Sequence, residues 1–290
     1  MRDRTIKVLL LAPALAVLGA TVVYPFLSAL LLSFREWRLS KSPTPGAFVG
    51  FENYLRAFGD PHFINSVVVT IEYTLISVAL SMVIGLGIAL LLQRPGLINM
   101  ILKSFLIFPF AMSPALKGFS WRFMLNPQYG IINELIGRLF PPLAGFVWLG
   151  QPFWAMFWLA ITEVWGWAPY IALVFIGALD TLPQDAFDAA KVDGASTFQT
   201  FWHVTLPLLR PIIIMMVLLK TIFSVKQFDA VVTLTGGGPG RATETMNYYV
   251  YKNGFSFFDM GYASALAYLL VVAMFIFAFF YVRTLLHREA

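Results

Sequence analysis

Long apolar runs dominate the chain, and short polar or glycine- and proline-rich stretches separate them. A helix needs about 20 apolar residues to cross the hydrocarbon core of a bilayer. Six runs are long enough, so the pattern predicts transmembrane helices at 8–34, 66–92, 101–124, 154–179, 212–232 and 262–286. We interpret the first run as a retained span because it is much longer than the apolar part of a secretory signal. An even number of spans places both chain ends on one side of the membrane.

Composition supports a membrane protein and excludes several kinds of site. Hydrophobic residues make up 59% of the 290 residues and charged residues only 12%, about half the charged share of a soluble domain. The chain has no cysteine, which excludes disulfides, thiolate metal sites and cysteine nucleophiles. The net charge of +5 comes from scattered basic residues, which is typical of helix ends near lipid headgroups and does not indicate nucleic acid binding.

The distribution of basic residues gives a weak indication of orientation. With Lys117 and Lys226 counted as outer-loop residues and Lys220 as intramembrane, the two sides carry nearly equal numbers of lysine and arginine. Connections on the side of the termini are mostly shorter, so their basic density is higher. Basic residues concentrate on the cytoplasmic side of membrane proteins, which favours cytoplasmic termini.

The segment 182–207 differs from every other connection. Pro183 suits a first helical turn, Gly194 suits the end of that helix, and a second short helix is predicted at 197–204, stopping before Pro207. Small residues near the turn would let another protein come close, and flanking carboxylates could receive an arginine. An ordinary connector helix at the membrane surface is the alternative explanation from these properties alone.

This segment resembles the Glu-Ala-Ala loop of permease subunits in ATP-binding-cassette (ABC) importers. Asp188-Ala189-Ala190 opens the motif, Gly194 marks its centre, and Leu206-Pro207 closes it, with Asp188 in place of the usual glutamate. In that family the loop is a coupling helix that docks on the ATPase subunit. The resemblance therefore assigns coupling to Asp188, Ala189, Ala190, Asp193, Gly194 and Ala195.

Other stretches are similar to the carbohydrate branch of the same family. These are 108–114 followed by Trp121 and Arg122, 126–133, Phe228-Asp229, 235–239, Thr243-Glu244 and 261–265. The resemblance implies an all-α integral membrane protein with six spans, a type I ABC importer permease fold and a cytoplasmic coupling helix. Residues 1–65 would form a cytoplasmic segment, the first span and a periplasmic loop, ahead of a five-helix core at 66–286.

The family also implies partners and a location. We expect a second permease subunit as heterodimer partner, two ATP-binding subunits, an extracytoplasmic solute-binding protein and lipid, in a bacterial cytoplasmic membrane with both termini inside. A phosphate-binding Walker A motif is absent, since Gly236–Gly240 leads into Arg241-Ala242 and not into Lys-Ser. The chain is therefore expected to be non-catalytic and to bind no cofactor, with ATP and Mg on its partners.

Polar residues inside predicted spans are expensive and need an explanation. Sugars are bound by aromatic faces together with amides or carboxylates, so we assign a substrate path to Glu72, Tyr73, Glu163, Trp165, Tyr170, Gln227 and Asp229. Structural pairing between helices, for instance Glu163 with Lys220, is the alternative. His62 and His203 lack neighbouring ligands, so no metal site is expected.

Three other functions remain open from the sequence. A secondary transporter driven by an ion gradient would use Glu72 and Glu163 as proton sites, but it leaves the coupling loop unexplained. A membrane enzyme would need clustered acid or histidine side chains near one face, and the sequence shows no such cluster. A permease for glycerol phosphate or another polar solute would lie within the same family.

Overall fold

The computed structural model describes the backbone of residues 2–289 and the side chains of residues 10–281 and 283. Within this part of the chain the regular elements are helices, and β-pairing is limited to two isolated bridges. The α-helices are α1 (Arg2–Leu18), α2 (Tyr24–Ser33), α3 (Glu52–Gly59), α4 (Pro61–Leu92), α5 (Leu97–Ala111), α6 (Pro114–Met124), α7 (Ile131–Leu139), α8 (Pro152–Asp180), α9 (Gln184–Val192), α10 (Thr197–Thr200), α11 (Leu206–Val225), α12 (Met246–Tyr251) and α13 (Met260–Glu289).

Five continuous helical stretches are long and apolar enough to cross a membrane: Leu10–Ser33, Pro61–Leu92, Pro152–Asp180, Thr197–Val225 and Met260–Tyr281. The pair α5 and α6 supplies a sixth if it counts as one bent span. The all-α fold with six predicted spans is thereby confirmed. The side chains of residues 282 and 284–286, at the end of the predicted sixth span, lie outside the described residues.

The third span is not the single run predicted at 101–124. Helices α5 and α6 are bent by 98° relative to each other, with extended backbone at Met112 and Ser113 between them. Ser113 precedes Pro114, and a residue before proline is disfavoured in the helical region. Pro114 then begins α6, where its missing N–H costs nothing. The third span is therefore completely broken at this proline.

The fifth span also differs from its prediction. The helix expected at 197–204 does not stop before Pro207 but passes through a π turn at Phe201–Thr205 into α11. Pro207 lies in the first turn after the π segment, where the wider turn accommodates its missing N–H. The span ends at Val225, earlier than the predicted 232, and a separate π turn occupies Val231–Thr235.

The residues form two compact units, one from Met1–Ile64 with Tyr249–Ala290 and one from Asn65–Tyr248. We call them the terminal unit and the central unit. In the central unit α8 is the innermost span: 72% of its most apolar stretch is buried, against 22% for Pro61–Leu92. The predicted division into 1–65 and 66–286 stays a prediction.

The terminal unit contains a polar network near the ends of its helices. Asp60 Oδ2 accepts hydrogen bonds from the hydroxyls of Tyr249 at 2.5 Å and Tyr262 at 2.8 Å. Burial alone would raise the pKa of Asp60, but these bonds and the backbone N–H of His62 hold the pKa below its usual value. Burial, followed by the hydrogen bond to Asp60, raises the pKa of Tyr249 to about 12.

A second carboxylate of the terminal unit is held by arginines. Arg56 Nη1 donates to Asp259 Oδ2 at 2.8 Å, and Arg38 Nε lies 3.4 Å from the same oxygen. The Arg56 guanidinium also lies over the ring of Tyr262, 3.8 Å from its centroid. Both carboxylates of this network therefore have donors from their own unit.

Candidate functional site

A cavity of about 540 Å³ lies in the central unit at the break between α5 and α6. Met112 and Pro114, on either side of the break, are among its lining residues. Its volume is within the range of about 300–1,000 Å³ usual for small-molecule sites. The side chains that give it chemical character are Phe110, Lys117, Glu163, Trp167, Gln227 and Asp229.

Two deeply buried charges of the cavity region form an ion pair. Lys220 Nζ donates to Glu163 Oε1 at 2.8 Å, and only 0% and 7% of the two side chains are exposed. Gln227 Nε2 donates to Glu163 Oε2 at 2.8 Å and to the Tyr73 hydroxyl at 3.2 Å. Both Glu163 oxygens are engaged, so the pairing considered as an alternative for Glu163 is present.

Aromatic rings form one wall of the cavity. The ring of Phe110 stacks on that of Tyr170 with centroids 4.3 Å apart and meets Trp167 edge-on at 5.3 Å. Lys220 Nζ lies 4.8 Å from the centroid of the Trp167 ring, so this indole packs against the ion pair. The wall offers apolar faces beside hydrogen-bonding groups.

The predicted path residues fall into three groups. Glu163, Gln227 and Asp229 line the cavity, whereas Tyr73 and Tyr170 support its lining from behind. The remaining two are elsewhere: Trp165 is 36% exposed and packs edge-on against Trp121, and Glu72 lies on the exposed face of α4. The assignment of these residues to a substrate path stays a prediction.

Several cavity residues were not predicted from the sequence, among them Phe110, Trp167 and Lys117, and Lys117 is the charged residue of the three. It was counted with the outer loops, which is wrong: Lys117 lies in α6, is 5% exposed and lines the cavity. The bend at Met112 and Ser113 places this helix in the central unit with its lysine facing inward. The sequence signal that could have identified Lys117 is a lysine within the apolar run 101–124.

We call residues 182–207 the coupling segment, after their predicted role. Its first helix is α9, which ends at a sharp corner. Gly194 has a φ of +73°, which L-residues with side chains rarely adopt. The N–H of Gly194 bonds to Lys191 O at 3.1 Å and the N–H of Ala195 to Ala190 O at 2.9 Å. This Schellman pattern satisfies the last carbonyls of the helix and explains the glycine.

The next helix starts directly after this corner. Ser196 Oγ accepts from the backbone N–H of Gln199 at 3.3 Å, and the Gln199 side chain accepts from the Ser196 N–H at 2.8 Å. This capping box satisfies two N–H groups that a helix start would leave free. Two local motifs therefore fix the angle between α9 and the helix that follows.

The outer surface of the coupling segment is open to a partner. Asp188 is exposed and pairs only with Lys191 of its own helix, at 2.8 Å, while Ala189, Asp193 and Gly194 are also exposed. Two large apolar residues that sequence reasoning did not single out are exposed beside them: Val192 at 87% and Phe198 at 72%. Small residues flanked by exposed apolar ones suit a protein-binding surface.

Residues 63–290 match the family model described as "Binding-protein-dependent transport system inner membrane component". The chain is 37% identical over 265 residues to the sulfoquinovosyl glycerol transport system permease protein SmoG of Agrobacterium fabrum, covering 91% of this chain and 85% of that protein. It is 32% identical over 282 residues to the trehalose/maltose transport system permease protein MalF of Thermococcus litoralis, covering 97% and 94%.

Solved structures show the same fold. A chain in the crystal structure of a bacterial alginate ABC transporter, in complex with an alginate pentasaccharide-bound periplasmic protein, superposes with a TM-score of 0.81. The sequences are 18% identical, and the match covers 97% of this chain and 93% of that one. Together with its helical spans, these matches show that the chain is a multi-pass membrane protein belonging to the family of inner membrane components of binding-protein-dependent transport systems.

Proposed function

We propose that this permease subunit forms half of the translocation path for a sugar or oligosaccharide delivered by a binding protein. The observation that carries the proposal is the cavity at the broken third span, where the faces of Phe110 and Trp167 adjoin Gln227 and Asp229. Aromatic surface with a few placed polar groups is the usual composition of a small-molecule site. Relatives named for sugar transport support the substrate class.

The proposal includes the partners that a binding-protein-dependent system requires. A second permease subunit would complete the path, and two ATP-binding subunits, which hold ATP and Mg, would dock on the coupling segment. The exposed small residues with Val192 and Phe198 beside them support this docking surface. In this arrangement the coupling segment and both chain termini lie in the cytoplasm, and the permease itself catalyses no reaction.

The test is sugar uptake by the complete importer, with and without ATP, in the wild type and in Gly194→Arg. We expect uptake to require ATP and Gly194→Arg to abolish it, because an arginine at this exposed corner would block docking. The control is Gly145→Arg, since Gly145 also has a positive φ, +70°, and open space around it, but lies outside the segment. The control shares the backbone strain and the added bulk.

Two outcomes would contradict the proposal. Normal ATP-dependent uptake by Gly194→Arg would remove the coupling role of the segment. Uptake by the wild type that survives ATP depletion and follows an ion gradient would indicate a secondary transporter. Membrane levels of each variant, measured by immunoblot, separate a docking defect from failed insertion.

A further inference from the structure

Lys117 is a buried cation that forms no ion pair with the described residues. It is 5% exposed and lines the cavity of the central unit. Among the described residues, its ammonium has no hydrogen-bond acceptor within reach and no carboxylate within 4 Å. A buried charge of this kind is costly unless it is compensated, so its retention requires an explanation.

The space beside Lys117 depends on a missing side chain. A Cβ at Gly166 of α8 would lie 2.7 Å from Lys117 Nζ, closer than Cβ atoms normally approach other atoms. The glycine therefore lets the ammonium lie directly against the backbone of the innermost span. Glu163 is one turn away on the same helix, but both of its oxygens are already engaged by Lys220 and Gln227.

The charges of the cavity leave an excess of positive potential. Glu163 is compensated by Lys220, so the charged lining residues without an ion pair are Lys117, Lys226 and Asp229. Two cations thus face one carboxylate. The N-terminus of α6 adds to this excess, because Pro114 in its first turn lines the cavity and a helix N-terminus is positive.

We propose that the cavity accepts a solute carrying an oxyanion group, namely a carboxylate, sulfonate or phosphate, and that Lys117 binds this group. The aromatic wall at Phe110 and Trp167 would hold the carbohydrate ring. This inference rests on the proposed sugar-permease function and narrows its substrate class from sugars in general to acidic sugars. The compensating charge that the protein does not supply for Lys117 arrives with the solute.

The experiment measures uptake by the complete importer of four probes of similar size. These are methyl glucoside, methyl glucuronide, a 6-sulfonated methyl glucoside and a 6-phosphorylated methyl glucoside. We expect at least one anionic probe to be taken up tenfold or more faster than the neutral one. The comparison among the three anions identifies the oxyanion.

Variants test whether Lys117 causes this preference. Lys117→Met, which keeps most of the volume, should lower the ratio of anionic to neutral uptake tenfold or more. Lys117→Arg should retain the preference because it retains the charge. Lys41→Met, at an exposed loop lysine, is the matched control and should change neither rate.

Equal loss of neutral and anionic uptake in Lys117→Met, or no loss of either, would overturn the assignment. A wild type that prefers the neutral probe would also overturn it while leaving the sugar-permease function intact. If Lys117→Met does not assemble with its partners, the wild-type preference decides alone. Absence of ATP-dependent uptake of every probe would instead contradict the proposed function.

Discussion

The two units of the molecule each contain a buried polar cluster, and the clusters differ in how completely their charges are paired. In the terminal unit, Asp60 receives two tyrosine hydroxyls and Asp259 receives Arg56. In the central unit, Glu163 is equally well paired, but Lys117 beside it is not. A saturated cluster can only hold helices together, whereas an unpaired charge beside a cavity can bind a ligand.

The clusters also differ in their surroundings. Asp60 precedes the second span and remains partly accessible, whereas the Lys220–Glu163 pair lies within spans with 0% and 7% of the side chains exposed. The effective dielectric constant is lower around the second cluster. The attraction between Lys220 and Glu163 is therefore stronger, and leaving one of these charges unpaired costs more. Breaking the two clusters should therefore lower the stability of the protein by different amounts.

The largest effect is expected from Lys220→Met. It leaves Glu163 as a buried carboxylate without a counter-charge, which typically costs about 3–5 kcal/mol. The measurement is thermal unfolding of the purified importer in detergent. Lys220→Met/Glu163→Gln should recover most of this loss, since it removes both charges. A single variant as stable as the wild type would show that the pair does not hold the helices together.

The exposed pair Glu134–Arg138 provides the control for this prediction. Its side chains are 64% and 75% exposed, and the two atoms are 2.9 Å apart, as close as in the buried pair. Arg138→Gln should change stability by less than about 0.5 kcal/mol because solvent screens the interaction. If Arg138→Gln and Lys220→Met lowered stability by similar amounts, burial would not explain the cost of breaking the Lys220–Glu163 pair.

A smaller effect is expected from Asp60→Asn in the terminal unit. The substitution keeps the shape but weakens the hydrogen bonds from Tyr249 and Tyr262, and hydrogen bonds to charged groups contribute about 1.5–3 kcal/mol. Thermal unfolding measures the loss. Solute selectivity should not change, which separates this cluster from Lys117. An altered ratio of anionic to neutral uptake in Asp60→Asn would contradict a purely structural role.

The smallest effect at neutral pH is expected from Tyr249→Phe, about 1.5 kcal/mol, because it removes one of the two hydroxyl hydrogen bonds to the Asp60 carboxylate. The pKa of Tyr249 is raised from 10.0 to about 12, so its contribution is complete below pH 10 and is lost as the pH rises through 12. Unfolding curves from pH 9 to 12 should show a smaller alkaline loss in Tyr249→Phe than in the wild type. Parallel curves for the two proteins would exclude Tyr249 as the source of the alkaline loss of stability.

Local patterns predicted most of the fold. The spans follow from apolar run length, and the corner of the coupling segment follows from Gly194 with Ser196 and Gln199, because its bonds join residues at most five apart. The π turn at Phe201–Thr205 was missed because the sequence shows Pro207 as a helix stop. Whether a proline ends a helix or is accommodated depends on the backbone of the preceding turn.

The candidate site was predicted less completely. Glu72 and Tyr73 are neighbours that the sequence treats alike, but successive helical residues point about 100° apart, so one is exposed and the other buried against Gln227. Lys117 was missed because the break at Met112 and Ser113 changes the direction of the helix that carries it. Whether the Lys117 side chain lines the cavity depends on that direction.

The sequence by itself determined that the chain is a membrane protein, how many spans it has and where its coupling corner turns. Those properties depend on composition and on bonds between near neighbours. Only the tertiary structure decided which buried lysine is paired. Lys220 meets Glu163, 57 residues away, whereas no carboxylate in the described part of the chain pairs with Lys117. Both lysines lie in apolar runs, and their partners depend on which helices pack together.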